Sequence, residues 1–408
     1  MKLTVRHLGI PEGPVIGRLF EAPDHRVFFE FDSEWAARGI ELSPIYLPAN
    51  TPGSVTTPTP AFGPLFGLFE DSMPDWWGTR LLKRFFDEKG IPWRRVGSLQ
   101  KLAAQGDYGI GVLGYEPDEA PPDFRSEVAI DVADLVDTAR RVYDGEPAEG
   151  ITQLIRSGMT AGGAQPKALV HLSKDFATLW PGGGNPPEGS SPWLLKFQLD
   201  AEGMETREEH ACHLMAAAAG IHVPETRLLT DARGRAHFLT RRFDRLDGQR
   251  FHVHTWCGLT HTSPGDGLDY ADLMNLARML CAEESAVDEF FLRAVFNVSV
   301  GNDDDHGRNH AFLMDSEHQW HPSPAYDLTF ASNPLTSNLR SAAVNGRHAE
   351  LKPDDLRRLG RDQSVRRIDE KIGRVIDVVR RWPEFAATAG LPEGHAARLA
   401  TEMPTSRW

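Results

Sequence analysis

Two short stretches concentrate the groups that phosphoryl chemistry needs: residues 302–309, NDDDHGRN, and residues 324–328, PAYDL. A site that moves a phosphoryl group to a hydroxyl in the manner of protein kinases uses an Asp beside the acceptor and an Asn five positions later on a divalent cation. It also uses a second cation-binding Asp beyond a short hairpin. Asp304 to Asn309 is that five-residue step, whereas Asp303 and Asp305 miss it by one in either direction. The intervening HAFLMDSEHQWHP reads as two strands about a polar turn at 315–318, which would return the chain so that Asp327 lies near Asn309. Three oxygen ligands would then converge on one hard cation. Asp and Asn are also ordinary turn residues, so NDDDHGRN alone is equally an acidic turn capping a helix. The second Asp at hairpin distance favours the chemical reading.

Upstream, Lys196 sits inside the apolar stretch WLLKFQ, where a cation is costly without a partner. Glu209, at the opening of the following helix, is its natural partner; a strand Lys paired with a helix Glu to grip nucleotide phosphates is the arrangement kinases use. The alternative is a strand Lys turned to solvent on an exposed face. Gly162, Gly163 and Lys167 in GGAQPK could wrap phosphates with backbone N–H groups. Neither GxxxxGKS nor GxxxxGKT occurs, and a single Gly-rich turn is weak evidence. His252, His254, Cys257 and His261 form HxHxxCxxxH, which is not a common structural zinc spacing. His306 and His310 fit better as hydrogen-bonding supports of the acidic loop than as ligands. With neither GxSxG nor HExxH present, hydrolase readings lack a starting point.

These groups need a scaffold, and 408 residues suffice for two or three domains. Apolar residues at 40% and charged residues at 25% are close to globular averages, which excludes wholesale disorder and fibrous repeats. A net charge of −14 repels a nucleic-acid backbone and disfavours direct DNA reading. Three cysteines in no CxxC pairing argue against a disulfide framework or a structural zinc site and fit a reducing compartment. No run of about 18 apolar residues occurs, and MKLTVRHLG lacks the pattern of a signal peptide. A soluble intracellular protein is expected.

Residues 1–60 alternate strand-like pieces (LTVRHLG, VIGRLF, RVFFEF) with Pro/Gly turns, as in a small antiparallel sheet. Asp75 is a good N-cap for a helix reaching Phe86, in which Leu81, Leu82, Phe85 and Phe86 share a face. Trp76 and Trp77 are expected in the core or in helix packing. After the strand-like GIGVLGY, EPDEAPPD reads as a linker. A helix (VADLVDTARRVYDG), a Gly-rich turn and strand (TAGGAQPKALVHL), the strand WLLKFQ, the helix REEHACHLMAAAAG and a strand ending in FLTRRFDR follow. The last third is richer in helix; Val365, Ile368, Ile372, Val375, Ile376 and Val379 recur at helical spacing.

Taken in order, MPDWWGTRLL, GDYGIGVLGYEPD, GGAQPK, LLKF, GIHVP, RRFDR, NDDDHGRN and PAYDL make nearly the whole chain resemble the HipA family of toxin Ser/Thr kinases from type II toxin–antitoxin systems. The resemblance implies an α+β, protein-kinase-like two-lobed fold with a small N-terminal α+β subdomain. Its boundaries are drawn at 1–122 for that subdomain, 123–250 for a β-rich nucleotide-binding lobe and 251–408 for a helical catalytic lobe. It implies Asp304 as the catalytic Asp, Asn309 and Asp327 as Mg²⁺ ligands and Lys196 as the nucleotide-binding Lys. It further implies a phosphate-facing loop of Gly162, Gly163, Ala164, Gln165, Pro166 and Lys167, and a hinge of Arg241, Arg242 and Phe243 beside adenine. Glu209, His306 and Tyr326 complete the nucleotide-binding set. Arg241 stands where Glu is expected, and Thr160 stands where the family carries its autophosphorylated Ser, with Ser157 a competing acceptor.

The cofactors so implied are ATP and Mg²⁺, in the cytoplasm and without membrane contact. The partners are a small helix-turn-helix antitoxin of HipB type, with DNA reached only through it, and a translation-related protein substrate such as an aminoacyl-tRNA synthetase. A kinase of a small molecule or lipid, and a catalytically idle antitoxin-binding corepressor, are the rival readings. Retention of Lys196, Asp304, Asn309 and Asp327 together argues against idleness.

Overall fold

The computed structural model describes residues 1–59, 61–119, 129–146, 154–155, 165–182, 186–332 and 339–408. Thr160, Ser157 and the turn at 162–164 therefore lie outside the described residues. The backbone forms two compact units, one of Met1–Gly203, Leu229–His254 and Gly258–His261, the other of Met204–Leu228, Thr255–Cys257 and Thr262–Trp408. The boundaries at 122 and 250 remain a proposal about domains.

In the first unit, β1 (Lys2–His7), β2 (Val15–Glu21), β3 (Val27–Phe31), β4 (Val55–Thr56) and β5 (Leu113–Glu116) form one sheet in the order β4–β3–β2–β1–β5. Alternation dictates its faces: Leu3, Val5 and His7 of β1 are buried and their neighbours are less so. A second sheet has β6 (Lys167–Ser173), β7 (Leu179–Pro181), β8 (Ser190–Lys196), β9 (Thr226–Thr230) and β10 (Ala236–Arg241) in the order β7–β6–β8–β10–β9. Ala168, Val170 and Leu172 share a core with Trp193 and Leu195, closed by Trp77, Leu81 and Phe85 of the helix Trp76–Glu88 and by Leu135, Val136 and Ala139 of Val132–Asp144. Burying a side chain of that size contributes about 1.5–3 kcal/mol.

Asp75 caps the first of these helices as its sequence suggests, accepting from the Gly78 N–H at 2.7 Å. Trp77 is fully buried in the core, whereas Trp76 is 46% exposed and packs edge-on against Tyr143 of the helix Val132–Asp144 at 5.8 Å. Adjacent helical residues point about 100° apart, so both indoles cannot face one sheet; that of Trp76 instead lies under the Arg80 guanidinium at 4.3 Å. Lys196 ends β8 rather than sitting inside it, because the Gln198 N–H leaves the ladder for His237 Nδ1 at 3.0 Å. The histidines of HxHxxCxxxH are internal braces: His252 Nε2 lies 2.8 Å from the Leu42 carbonyl, and His261 Nε2 accepts from the Gly67 N–H at 2.9 Å. His254 sits between Asp71 at 2.6 Å and Ser43 at 3.1 Å, sealed from solvent.

The second unit is built on the helix Ser285–Val300, whose residues 290–300 are all buried, with Tyr270–Leu280 and Ile368–Arg380 packed against it. Gly301 ends it in the left-handed region at φ 78°, a conformation glycine adopts without the steric cost other residues incur. The helix Glu205–Ala218 starts four residues before Glu209, with Glu205 and Glu208 in its first turn, where the helix dipole favours carboxylates. Ala311–Met314 and Trp320–Pro322 pair antiparallel, Met314 opposite Trp320, as the hairpin reading requires. Among the described residues no helix is long and apolar enough to cross a membrane.

Burial pushes His252 in the first unit and His310 in the second down to about 3 from an ordinary value of 6.5. Both are neutral in the fold and take up a proton below about pH 6.5 once unfolded, so the unfolded chain binds more protons there. Stability should therefore fall as pH falls from about 6.5 toward about 3, by up to about 1.4 kcal/mol per pH unit for each histidine. Melting curves between about pH 7 and pH 4.5 test this: His252→Gln should flatten the decline, and an unchanged slope would contradict it.

Candidate functional site

The acidic loop begins where the buried helix stops. Asn302 donates from Nδ2 to Asn297 Oδ1 at 3.2 Å and to the Asp327 carbonyl at 3.3 Å, which joins the two motifs directly. Next, the Asp303 N–H donates to the Ala331 carbonyl at 3.2 Å and the Asp303 carbonyl accepts from the Ser341 N–H at 2.7 Å. The Asp304 carbonyl accepts twice at 2.9 Å, from the His306 N–H and from Asn309 Nδ2. That closes the loop into the short 3-10 turn Gly307–Asn309. A Cβ at Gly307 would lie 2.5 Å from the Trp256 ring and 2.8 Å from Cys257 Sγ, so the turn needs glycine there.

Asp304, His306, Asn309, Tyr326 and Asp327 are brought together. The Tyr326 hydroxyl donates to the Arg308 carbonyl at 2.6 Å. Asp327 is held at φ 53°, an uncommon conformation for a residue other than glycine, though Asp and Asn tolerate it best. The Asp304 residue is exposed, yet partial burial of its carboxyl raises its pKa; nearby His306 opposes the rise and the Asp327 charge adds to it. Two carboxylates that repel each other, with an amide carbonyl in the same loop, are the oxygen donors a hard divalent cation takes. Among the described residues no three His, Cys, Asp or Glu side chains gather as a ligand group.

The flanking aspartates have different surroundings. Burial, helped by the Asp305 charge and opposed by Arg340, pushes the half-buried Asp303 up to about 6. Asp305 is fully buried and ion-paired with Arg340, and it accepts from the Tyr270 hydroxyl at 2.8 Å and the Ala342 N–H at 3.1 Å. Asn297 Nδ2 donates to that same hydroxyl at 2.9 Å. Sequence reasoning missed this cluster of Tyr270, Asn297 and Arg340. The only local signal is a lone arginine opening the apolar RSAAV.

In the first unit, Lys167 and Lys196 are directly opposite across β6 and β8, and both are buried. Like charges so placed repel, and such a pair suits an anion. Lys167 Nζ lies 3.9 Å from Asp75, and Lys196 Nζ lies 5.9 Å from the Phe238 ring centroid. Gln165 is half-buried and Pro166 buried just before β6. The Arg242 side chain is committed to the fold: it holds Asp244 at 2.7 and 2.9 Å and the Gly109 carbonyl at 3.3 Å. Its N–H donates to the Pro192 carbonyl at 3.1 Å, while Arg241 and Phe243 are half-buried. Glu209 is buried in the second unit, 3.9 Å from His213 Nε2.

Comparison with known proteins follows the same order along the chain. Residues 11–116 match the model described as HipA N-terminal domain, and residues 159–406 match that described as HipA-like C-terminal domain. Among curated proteins, one named "Putative kinase Y4dM" from Sinorhizobium fredii (strain NBRC 101917 / NGR234) is 28% identical over 217 residues, 49% of this chain and 52% of that protein. The chain thus spans about half the length of that relative. A solved structure of the Shewanella oneidensis MR-1 toxin–antitoxin system HipA, HipB and its operator DNA aligns over 100% of this chain and 97% of the other at 19% identity, with a TM-score of 0.71. The likeness establishes a shared α+β fold.

Proposed function

The chain belongs to the HipA family, and from that premise we propose that it is an ATP- and Mg²⁺-dependent Ser/Thr protein kinase acting as the toxin of a toxin–antitoxin pair. The observation that carries this reading is the Asp304–Asp327 carboxylate pair, set beside Asn309 where Asn302 ties the two motifs together. Asp327 and Asn309 would hold the cation, and Lys196 and Lys167 would face the nucleotide phosphates together with the loop 162–166. When bound, Mg²⁺–ATP supplies the phosphoryl group and neutralises charge that develops on it. Asp304 accepts the proton of the acceptor hydroxyl, and its raised affinity for a proton suits it to that task. Asn309 keeps the Asp304 backbone fixed through its Nδ2 bond, so the base does not swing away from the acceptor. Arg242 contributes to the hinge through its backbone, because its guanidinium is occupied by Asp244.

A HipB-type antitoxin is the proposed partner, and a protein of translation such as an aminoacyl-tRNA synthetase the proposed substrate, both in the cytoplasm. Phosphoproteomics of cells expressing the wild type or Asp304→Asn tests the reading. A phosphoprotein present only with the wild type supports it. ATP turnover without any modified protein would instead favour a small-molecule or lipid acceptor.

Thr160 is the proposed autophosphorylation site. A phosphate there adds about two negative charges close to where those of ATP would lie, so the modified protein should bind ATP poorly. Intact mass after incubation with Mg²⁺ and ATP should show one added phosphate, lost in Thr160→Ala and absent in Asp304→Asn, with peptide sequencing to separate Thr160 from Ser157. Undiminished ATP binding by fully phosphorylated protein would end the switch idea.

A further inference from the structure

We propose that Arg340 and Asp305 are positioning residues, a buried ion pair that fixes the backbone on both sides of Asp304 and so aims the Asp304 carboxylate. The proposal rests on the kinase reading above. Arg340 donates from Nε to the Ala342 carbonyl at 2.7 Å and from Nη2 to the Asn302 carbonyl at 3.4 Å, while the same guanidinium holds the Asp305 carboxylate. The Ser341 N–H donates to the Asp303 carbonyl at 2.7 Å and the Ala342 N–H donates to Asp305 Oδ1 at 3.1 Å. Three consecutive residues, 340–342, thus hold 302, 303 and 305. Asp304 is the residue they bracket, and of the four residues 302–305 it is the exposed one.

The bracket is anchored deeper still. Asp305 accepts from Tyr270, whose hydroxyl accepts from Asn297 on the buried helix, so the loop is tied to the helix at the core of its unit. A buried pair that served stability alone would be replaceable by packed apolar groups with little loss. One that aims a neighbouring group is not replaceable in that way, because its hydrogen bonds are directional and a displacement of about 1 Å at a reacting group can cost about a hundredfold in rate. Stability and positioning can therefore be separated by experiment.

The test compares the wild type with the double variant Arg340→Met/Asp305→Leu and with Arg340→Lys, which keeps the charge but loses the planar fork. Each is followed by thermal melting, by hydrogen exchange of residues 302–309 in the protein alone, and by kcat and KM for ATP. The double variant should fold with a lowered melting temperature, because the Tyr270 hydroxyl and the Ala342 N–H lose their acceptor. Its loop amides should exchange at least about tenfold faster, and its kcat should fall at least about tenfold with KM within about threefold. Arg340→Lys should move the same readouts in the same direction by less, and it carries the test alone if the double variant fails to fold. Exchange or kcat within about twofold of wild type in a folded variant would overturn the proposal. Absence of ATP turnover in the wild type would instead defeat the kinase reading, with loop exchange still deciding whether the pair fixes the loop.

Discussion

Asp304→Asn should lower phosphoryl transfer by at least about a hundredfold, the usual loss when a positioned general base is removed, and should melt with the wild type. The fold uses the Asp304 carbonyl, which accepts from His306 and Asn309. The carboxyl faces the like charge of Asp327, so neutralising it relieves a repulsion. Asp303→Asn should cost much less. The spacing argument expects the same of Asp305→Asn, but the structure changes that expectation. Removing the charge opposite a buried guanidinium costs about 3–5 kcal/mol, so Asp305→Asn should lose activity together with a lowered melting temperature. ATP turnover and melting of the three variants decide the matter. An Asp304→Asn protein that retains turnover, beside an Asp305→Asn protein that loses it at wild-type stability, would move the base by one residue.

Asp327→Asn should reduce turnover by about a hundred- to a thousandfold, the range for losing one group that stabilises developing charge, with the fold intact. Asn is the substitute best suited to the left-handed conformation at φ 53°, and the bond from Asn302 reaches the backbone carbonyl, which the substitution preserves. What is lost is one negative charge among the oxygens proposed to hold the cation. Turnover measured across a range of Mg²⁺ concentrations checks this. Activity within a few-fold of wild type throughout would remove Asp327 from the site.

Much of this site is legible in the amino-acid sequence alone. The step from Asp304 to Asn309 and the hairpin Ala311–Met314 and Trp320–Pro322 lie within a short stretch of chain, where alternation and turn chemistry act between near neighbours. The Asp75 cap and the alternation of β1 are readable for the same reason. Trp76 and Trp77 are not separable in that way, since which of two adjacent indoles enters the core depends on the direction of a sheet whose strand β6 begins 90 residues beyond Trp77.

The sequence by itself determined the family and the α+β character, through motifs that follow one another along nearly the whole chain, and it singled out the candidate catalytic residues through residue type at short spacing. Only the tertiary structure decided what surrounds them. Asp305 lies 35 residues from both Tyr270 and Arg340, and nothing in the local pattern distinguishes it from Asp303. Likewise Lys167 and Lys196 become neighbours through the register of β6 and β8, and Arg242 is claimed by Asp244 and the Gly109 carbonyl. For Asp305 the physical reason is that burying a charge is tolerable only with a partner, and here the partner is delivered by the packing of a distant segment.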